Sequence, residues 1–501
     1  MLLPIFLALV FVYAGTILYK RQSLARRRKF FEEKHGCKPP RHVLGKPWWD
    51  QFGLVFLRGM IRAAGEHRVL AYHRSLLVER DTGGRGFSDF VNTSRFGTRK
   101  VLFTDDPENV KSALTRAEDF VVEPARLESF GPLLGKGIFT ADGAHWQHSR
   151  NMLKPQFEKR QIMELEQFER HVPNLLANIP DDGGTVELQE LFHNFTMDTS
   201  TEFLTGTSTK SLSTDEQGAR AKDFVATFEK SMDDCTLHAR VGRLYSLLPH
   251  FAAKRSHRLC RRYIGEWVDR AMAFKQRNGH EKAKKGEQYC FLNELVKHDE
   301  VDRTRAVNET MNILLAGRDT TASLLSHLFF HLAREPELDG QLPTYEQLRN
   351  MKYLRYCSQE ALRLHPPVPI LGKHAARDTF LPHGGGPTGL SPLFMAQGDI
   401  IVYNSYSMHR STTLYSSDSN LFRPERWADP GLRPFWGYIP FGGGQRVCLG
   451  QQYALAEGYY VTVRLMQEFG RIERRGEVGW EERLTATLGC RDGVRVGLWR
   501  E

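Results

Sequence analysis

The stretch Phe441-Gly442-Gly443-Gly444-Gln445-Arg446-Val447-Cys448-Leu449-Gly450, with the helical pattern Gln451 to Phe469 behind it, decides how this chain is read. A cysteine just ahead of a helix has its sulfur near unpaired amide N–H groups and the positive end of the dipole, which favours the thiolate. Glycines on the approach let the backbone fold tightly and donate hydrogen bonds toward sulfur. Arg446 can reach a carboxylate on whatever the thiolate binds, and Phe441 offers an aromatic wall. The other six cysteines (Cys37, Cys235, Cys260, Cys290, Cys357 and Cys490) are scattered, with no CxxC pair. That spacing argues against a disulfide framework and a thiolate zinc site, and it suits a reducing compartment.

Zinc needs three or four protein ligands, and this loop supplies one. One thiolate on an iron whose other positions are filled by a porphyrin fits. The loop resembles the heme-binding signature of the cytochrome P450 family, FxxGxRxCxG, matched at all five fixed positions. The resemblance implies heme b with Cys448 as the metal ligand, and Phe441, Gly442 and Arg446 among the residues that bind it. Glu360-Ala361-Leu362-Arg363 matches the family's ExxR, whose spacing puts both charges on one helix face. Phe422-Arg423-Pro424-Glu425-Arg426-Trp427 resembles the segment that adds a second arginine to that pair. Glu360, Arg363 and Arg426 are therefore expected to hold the fold behind the heme. Trp146 and Arg150 resemble a WxxxR whose side chains contact heme propionates.

Asn308 to Phe329 reads as a long buried helix with Ala316-Gly317-Arg318-Asp319-Thr320-Thr321 at its middle. Small residues at Ala316 and Gly317 allow close approach to a cofactor, since glycine is otherwise disfavoured there. A threonine there can turn its hydroxyl to a backbone carbonyl and open the helix locally. Taken alone, the segment reads equally as a kinked core helix carrying a surface Arg318–Asp319 pair. Beside the cysteine loop it matches the family's (A/G)Gx(D/E)T. The resemblance implies that Thr320 positions dioxygen at the iron and that Asp319 helps bring in protons, so that one oxygen atom enters a C–H bond.

Length and composition agree with a large catalytic chain: 501 residues, 41% hydrophobic and 26% charged, enough for a sizeable core. From Lys20 to Lys46, ten basic residues face Glu32 and Glu33, a net +8 of the chain's +10. Charge so localised is not that of a nucleic-acid binder, whose basic residues recur across a face. Leu2 to Tyr19 carries no charge. As a helix it reaches roughly 27 Å, sufficient for the thinner endoplasmic reticulum bilayer. The basic residues follow it, which leaves the rest of the chain cytosolic. A cleaved signal peptide is the competing reading, opposed by the missing basic n-region and the immediate Lys20-Arg21.

The expected organisation is a transmembrane anchor at 1–19, a basic Pro-containing linker at 20–49, and a catalytic domain at 50–501. The aromatics of Pro47-Trp48-Trp49 would rest at headgroup level. The domain is expected to be mainly α with a smaller β-rich lobe, as the family implies, with strand-like runs at 97–104 and 398–404. Lys275 to Lys285 reads as a solvated loop. No glycine-rich nucleotide loop occurs, and 53 residues after Cys448 are too few for a flavin domain. Electrons are therefore expected from NADPH through a separate cytochrome P450 reductase, drawn to basic residues on the cysteine side.

Several stretches, among them AGRDTTASLLS (316–326) and CLGQQYALAEGYYVTVRLMQEF (448–469), resemble the fungal alkane- and fatty-acid-hydroxylating branch. That branch implies a lipophilic substrate oxidised at a chain terminus. One departure stands after Pro369, where Ile370-Leu371-Gly372-Lys373 replaces an Asn-x-x-Arg-like pattern. Lys373 could meet a propionate as a point charge without the guanidinium fork. Leu371 and Gly372 would change the pocket wall, which is compatible with a substrate from a fungal secondary-metabolite pathway. A heme-binding sensor without turnover is a third reading, opposed by the intact Asp319-Thr320 pair.

Overall fold

One 30-residue helix, Arg303–Leu332, organises the fold. Asp302 caps it, its carboxylate accepting the Arg305 amide at 2.7 Å. Leu314, Leu315, Leu324, Leu325, Leu328 and Phe329 are all buried, so the helix is apolar on most sides and needs partners all round. They are Leu188–Thr205, Phe251–Asn278, Lys352–Leu364 and Gln451–Glu468. In this computed structural model the described residues are 2–44, 54–78, 87–92, 100–157, 165–213, 215–278, 289–333, 351–476 and 479–500.

The β-rich lobe holds a five-stranded sheet ordered Asp89–Asn92, Val101–Thr104, Ile400–Asn404, Ile370–Ala375 and Phe120–Val121. Val101–Thr104 and Ile400–Asn404 pair in parallel, with Val101 opposite Ile400. These are the two runs the sequence marks as strands; residues 97–99 of the first lie outside the described residues. Hairpin Thr379–Gly385/Ser391–Met395 belongs with this lobe, while hairpin Glu482–Leu484/Leu488–Cys490 and a three-stranded sheet that includes Arg495–Trp499 pack on the helical core through Cys490, Val496 and Leu498. The fold is mainly helical with smaller sheets.

At the N-terminus one helix runs Leu2–His35, through both the uncharged and the basic stretch. Arg27 pairs with Asp378 at 2.8 Å, Phe31 meets Phe394 at 4.9 Å between centroids, and His35 stacks on Phe380. The chain then joins the lobe, with Lys38, Arg41 and Leu44 amides donating to Pro392, Gly384 and Val91 carbonyls. Residues 36–44 are thus bound to the globule. Among the described residues no helix is long and apolar enough to cross a membrane. Most side chains of residues 1–19, and Pro47-Trp48-Trp49, lie outside the described residues. Lys275 to Asn278 continue the Phe251–Asn278 helix where a loop is expected; 279–285 lie outside the described residues.

Candidate active site

The Cys448 loop is shaped by glycines that cannot be replaced. Gly444 has φ +64°, and a Cβ there would lie 2.3 Å from the Leu114 carbonyl oxygen. Gly442, at φ +71°, makes the preceding turn. The Cys448 amide closes the loop on the Phe441 carbonyl at 3.1 Å, and Gly450 leads into Gln451–Glu468. Phe441 packs against the cluster that joins Leu324, Leu328 and Leu332 of the central helix to Cys357, Ala361 and Leu362, so it ties the loop to the core behind it. All seven cysteines are described, and Cys448 is the exposed one among them. Burial raises the thiol pKa, while the Gly450 amide and the Arg150 charge oppose it. The helix terminus alone therefore does not win; coordination to a metal deprotonates such a thiol outright.

Around the loop stands a group of cations with one carboxylate among them. Arg446 donates to the Ala141 carbonyl at 2.6 Å and to Asp142 at 2.5 Å, its guanidinium 4.5 Å from the Trp146 ring centroid. Arg150 lies 5.8 Å from the same ring and donates to the Val447 carbonyl at 3.0 Å. Burial lowers the Arg446 pKa. Burial and then the Arg446 charge push Arg126 down to about 10. Lys373, buried and donating to the Ala113 carbonyl at 2.8 Å, is pushed down to about 8 by burial, Arg446 and Arg126. Arg446 lowers both Arg126 and Lys373 and has Asp142 as its direct ion-pair partner, so the group carries an excess of positive charge. The two propionates of a heme b would supply negative charge there, and the Cys448 thiolate would hold its iron. The residues fit the group.

Sequence reading found Arg446, Trp146, Arg150 and Lys373 but missed Arg126 and Asp142. Asp142 precedes Gly143–Leu153, the helix of Trp146 and Arg150, and an acid before such a helix was a usable signal. Arg126 gave none.

On the central helix, Ile313, Ala316 and Thr320 form the open stripe, with Leu314, Leu315 and Thr321 buried beside it. The Thr320 hydroxyl donates to the Ala316 carbonyl at 2.6 Å, the local diversion expected of it. Gly317 differs from expectation. A Cβ there would stand 2.9 Å from Ser200 Oγ, so the missing side chain admits the Leu188–Thr205 helix and gives no approach to a cofactor. The Arg318–Asp319 pair is buried, not on the surface: Arg318 is 1% exposed, donating to Asp319 at 2.9 Å and to Glu229 at 2.6 Å. Burial raises the Asp319 pKa, Arg318 opposes and Glu229 reinforces.

Behind the site, Glu360 is fully buried and accepts from Arg363 at 2.7 and 2.8 Å, Arg426 at 2.8 Å, and the Trp427 indole at 3.0 Å.

A thiol-bearing loop leading into a long helix, a cationic carboxylate cradle and a central helix whose Thr320 hydroxyl turns to the Ala316 carbonyl define a heme-thiolate oxidoreductase. The family model for cytochrome P450 matches residues 89–476. Cytochrome P450 monooxygenase himC of Aspergillus japonicus is 42% identical over 496 residues, covering 95% of this chain and 86% of that protein. Cytochrome P450 monooxygenase fsdH of Fusarium heterosporum is 39% identical over 525 residues, covering 99% and 89%. Cytochrome P450 52A3-B of Candida maltosa is 37% identical over 488 residues, covering 91% and 90%. The chain belongs to the cytochrome P450 family, whose members bind heme through a cysteine thiolate, and it is a monooxygenase of that family.

Proposed function

We propose that this monooxygenase inserts one oxygen atom from O2 into a C–H bond of a lipophilic chain, most specifically at the terminus of a fatty acid or alkane. The observation that carries this reading is the open Ile313–Ala316–Thr320 stripe, apolar but for one hydroxyl. An apolar wall orients an alkyl chain without polar contacts, and the single hydroxyl is left for oxygen chemistry. When bound, the heme would supply oxygen activation, held through the Cys448 thiolate. Trp146, Arg150, Arg446, Arg126 and Lys373 would hold its carboxylates. Thr320 would hold a proton at Oγ1, and Asp319 would renew it. Ala316 keeps the stripe open beside Thr320.

Membrane anchoring through the uncharged stretch 1–19, an endoplasmic reticulum location with the catalytic part cytosolic, and electron supply by a separate NADPH–cytochrome P450 reductase belong to the same proposal. They rest on the charge pattern of residues 2–46. A second reading, a pathway enzyme acting on a lipid-like intermediate, is favoured by Leu371 and Gly372. Gly372 has only ordinary contacts where a Cβ would go, so the bare position is a choice of pocket shape and not a packing need.

The test is the carbon monoxide difference spectrum of the reduced protein beside Cys448→Ala, then turnover with reductase, NADPH and medium- to long-chain fatty acids and alkanes. A thiolate-type band lost in the variant, and a terminal alcohol as product, support the first reading. A normal band with no product from any chain favours the second.

A further inference from the structure

On the side of the central helix away from the Thr320 stripe lies a cavity of about 50 Å3. Its titratable lining is His193 from Leu188–Thr205, Glu229 and Asp233 from Glu216–Val241, Arg318 and Asp319 from the central helix, and Arg483 from the C-terminal hairpin. One water needs roughly 10–15 Å3 on this measure, so the space holds a few. Two buried nitrogens in the wall, Arg318 Nε and His193 Nδ1, have no hydrogen-bond partner among the described residues. Arg318 is only 1% exposed, and an unpaired donor so buried is met by water. His193 Nδ1 stands 3.9 Å from Asp319 Oδ1, beyond a direct hydrogen bond and within reach of a shared water. At the rim stand Asp233, which is exposed, and Glu229, whose side chain is 43% exposed and paired with Arg318.

We propose that this cavity is a hydrated proton inlet that reloads Asp319, with His193 as the relay and Glu229 as the positioning residue that draws Arg318 off Asp319. The proposal rests on the oxygenase reading and deepens it. Each turnover, O2 + R–H + 2 H+ + 2 e− → R–OH + H2O, consumes two protons, with the electrons supplied by a reductase. A proton leaves the Asp319 carboxyl toward Thr320, and the carboxylate that remains takes its replacement from cavity water. His193 is held neutral by burial, Arg318 and Arg483, so its ring can accept on one nitrogen and donate from the other. Burial raises the pKa of Asp319 and of Asp233 above the usual carboxylate value. Without Glu229, Asp319 becomes the only carboxylate that Arg318 holds among these groups, and it stays pinned.

The test uses the full-length heme-loaded protein. Infrared difference spectroscopy of the resting protein, at a pH low enough to protonate Asp319, reads its carboxyl band, assigned by its loss in Asp319→Asn, and follows exchange of that proton in D2O. This needs neither substrate nor turnover. His193→Phe fills the cavity, and the expected result is exchange slowed about tenfold, with His193→Gln close to the parent. Glu229→Gln, partly exposed and safe for folding, is expected to slow exchange as well. With reductase, NADPH and dodecanoic acid as probe, both slowing variants should give about threefold more peroxide per NADPH and a larger solvent isotope effect. Unchanged exchange in His193→Phe and Glu229→Gln overturns the inlet. Slowed exchange with unchanged peroxide yield and isotope effect overturns its role in turnover. No product from dodecanoic acid in the parent protein counts against chain hydroxylation alone, and the exchange result still decides the inlet.

Discussion

The Arg446 guanidinium lies 4.5 Å from the Trp146 ring centroid while one of its nitrogens reaches Asp142. The ring and the acid together fix a buried cation whose neighbours Arg126 and Lys373 repel it. An aromatic face costs little desolvation and steers the guanidinium edge-on toward an anion. This arrangement makes the cradle rigid before heme arrives.

Trp146→Leu should therefore loosen heme without unfolding the chain. It removes two cation–π contacts, of about 0.5–2 kcal/mol each, and keeps an apolar, though smaller, side chain at the position. The expected result is a heme loss rate raised on the order of tenfold, measured by transfer to an excess of acceptor globin. An unchanged rate would show that the ring does not hold the cations.

Glu360 poses a different case, because its role is the fold itself. Glu360→Gln leaves Arg363 and Arg426 buried with no carboxylate between them, and removing one partner of such a set costs about 3–5 kcal/mol. Arg423 pairs at the surface with Asp418, its side chain 50% exposed, and Arg423→Ala should cost under about 1 kcal/mol. Denaturant unfolding of the heme-bound protein compares the two. Equal losses would contradict the buried-triad account.

The parts of this site legible in sequence are local ones. Cys448, Arg446 and Phe441 sit in one ten-residue loop, and Glu360 and Arg363 in one helix turn, so spacing alone reports them. Arg126 was not legible, because it meets Arg446 only through folding. The burial of Arg318 was not legible for a related reason. A charged residue on an apolar helix reads as solvent-facing unless its partner is known, and Glu229 lies 89 positions away on another helix. Gly317 was misread because small size serves helix packing as well as it serves a cofactor.

That last point has its own test. Replacing Gly317 by alanine sets two effects against each other: helix propensity gains about 1 kcal/mol, and the clash with Ser200 Oγ costs about 1–3 kcal/mol. In the Ser200→Ala background the next atom is Ser200 Cβ, 3.8 Å away, and the clash is gone. Gly317→Ala is expected to be neutral to destabilising alone and stabilising by about 1 kcal/mol in Ser200→Ala. A double-mutant cycle on unfolding free energies gives the coupling. No coupling would place the glycine against something other than this helix.

Glu457 provides a pH signature. It is fully buried on Gln451–Glu468, accepts from the Thr199 hydroxyl at 2.5 Å through one oxygen, and has no partner for the other among the described residues. Burial, against the help of Thr199 and Thr321, raises its pKa from 4.5 to about 8. Between those two values the folded chain keeps a proton that the unfolded chain releases. Stability therefore falls as pH rises through this window, by on the order of a few kcal/mol in total. Glu457→Gln keeps the neutral shape and cannot ionise. Its unfolding free energy should lack this slope and exceed the parent's near pH 8, while matching it near pH 5. Parallel pH profiles for the two proteins would show that Glu457 is ionised in the fold, and that its second oxygen is met by a charge or by water.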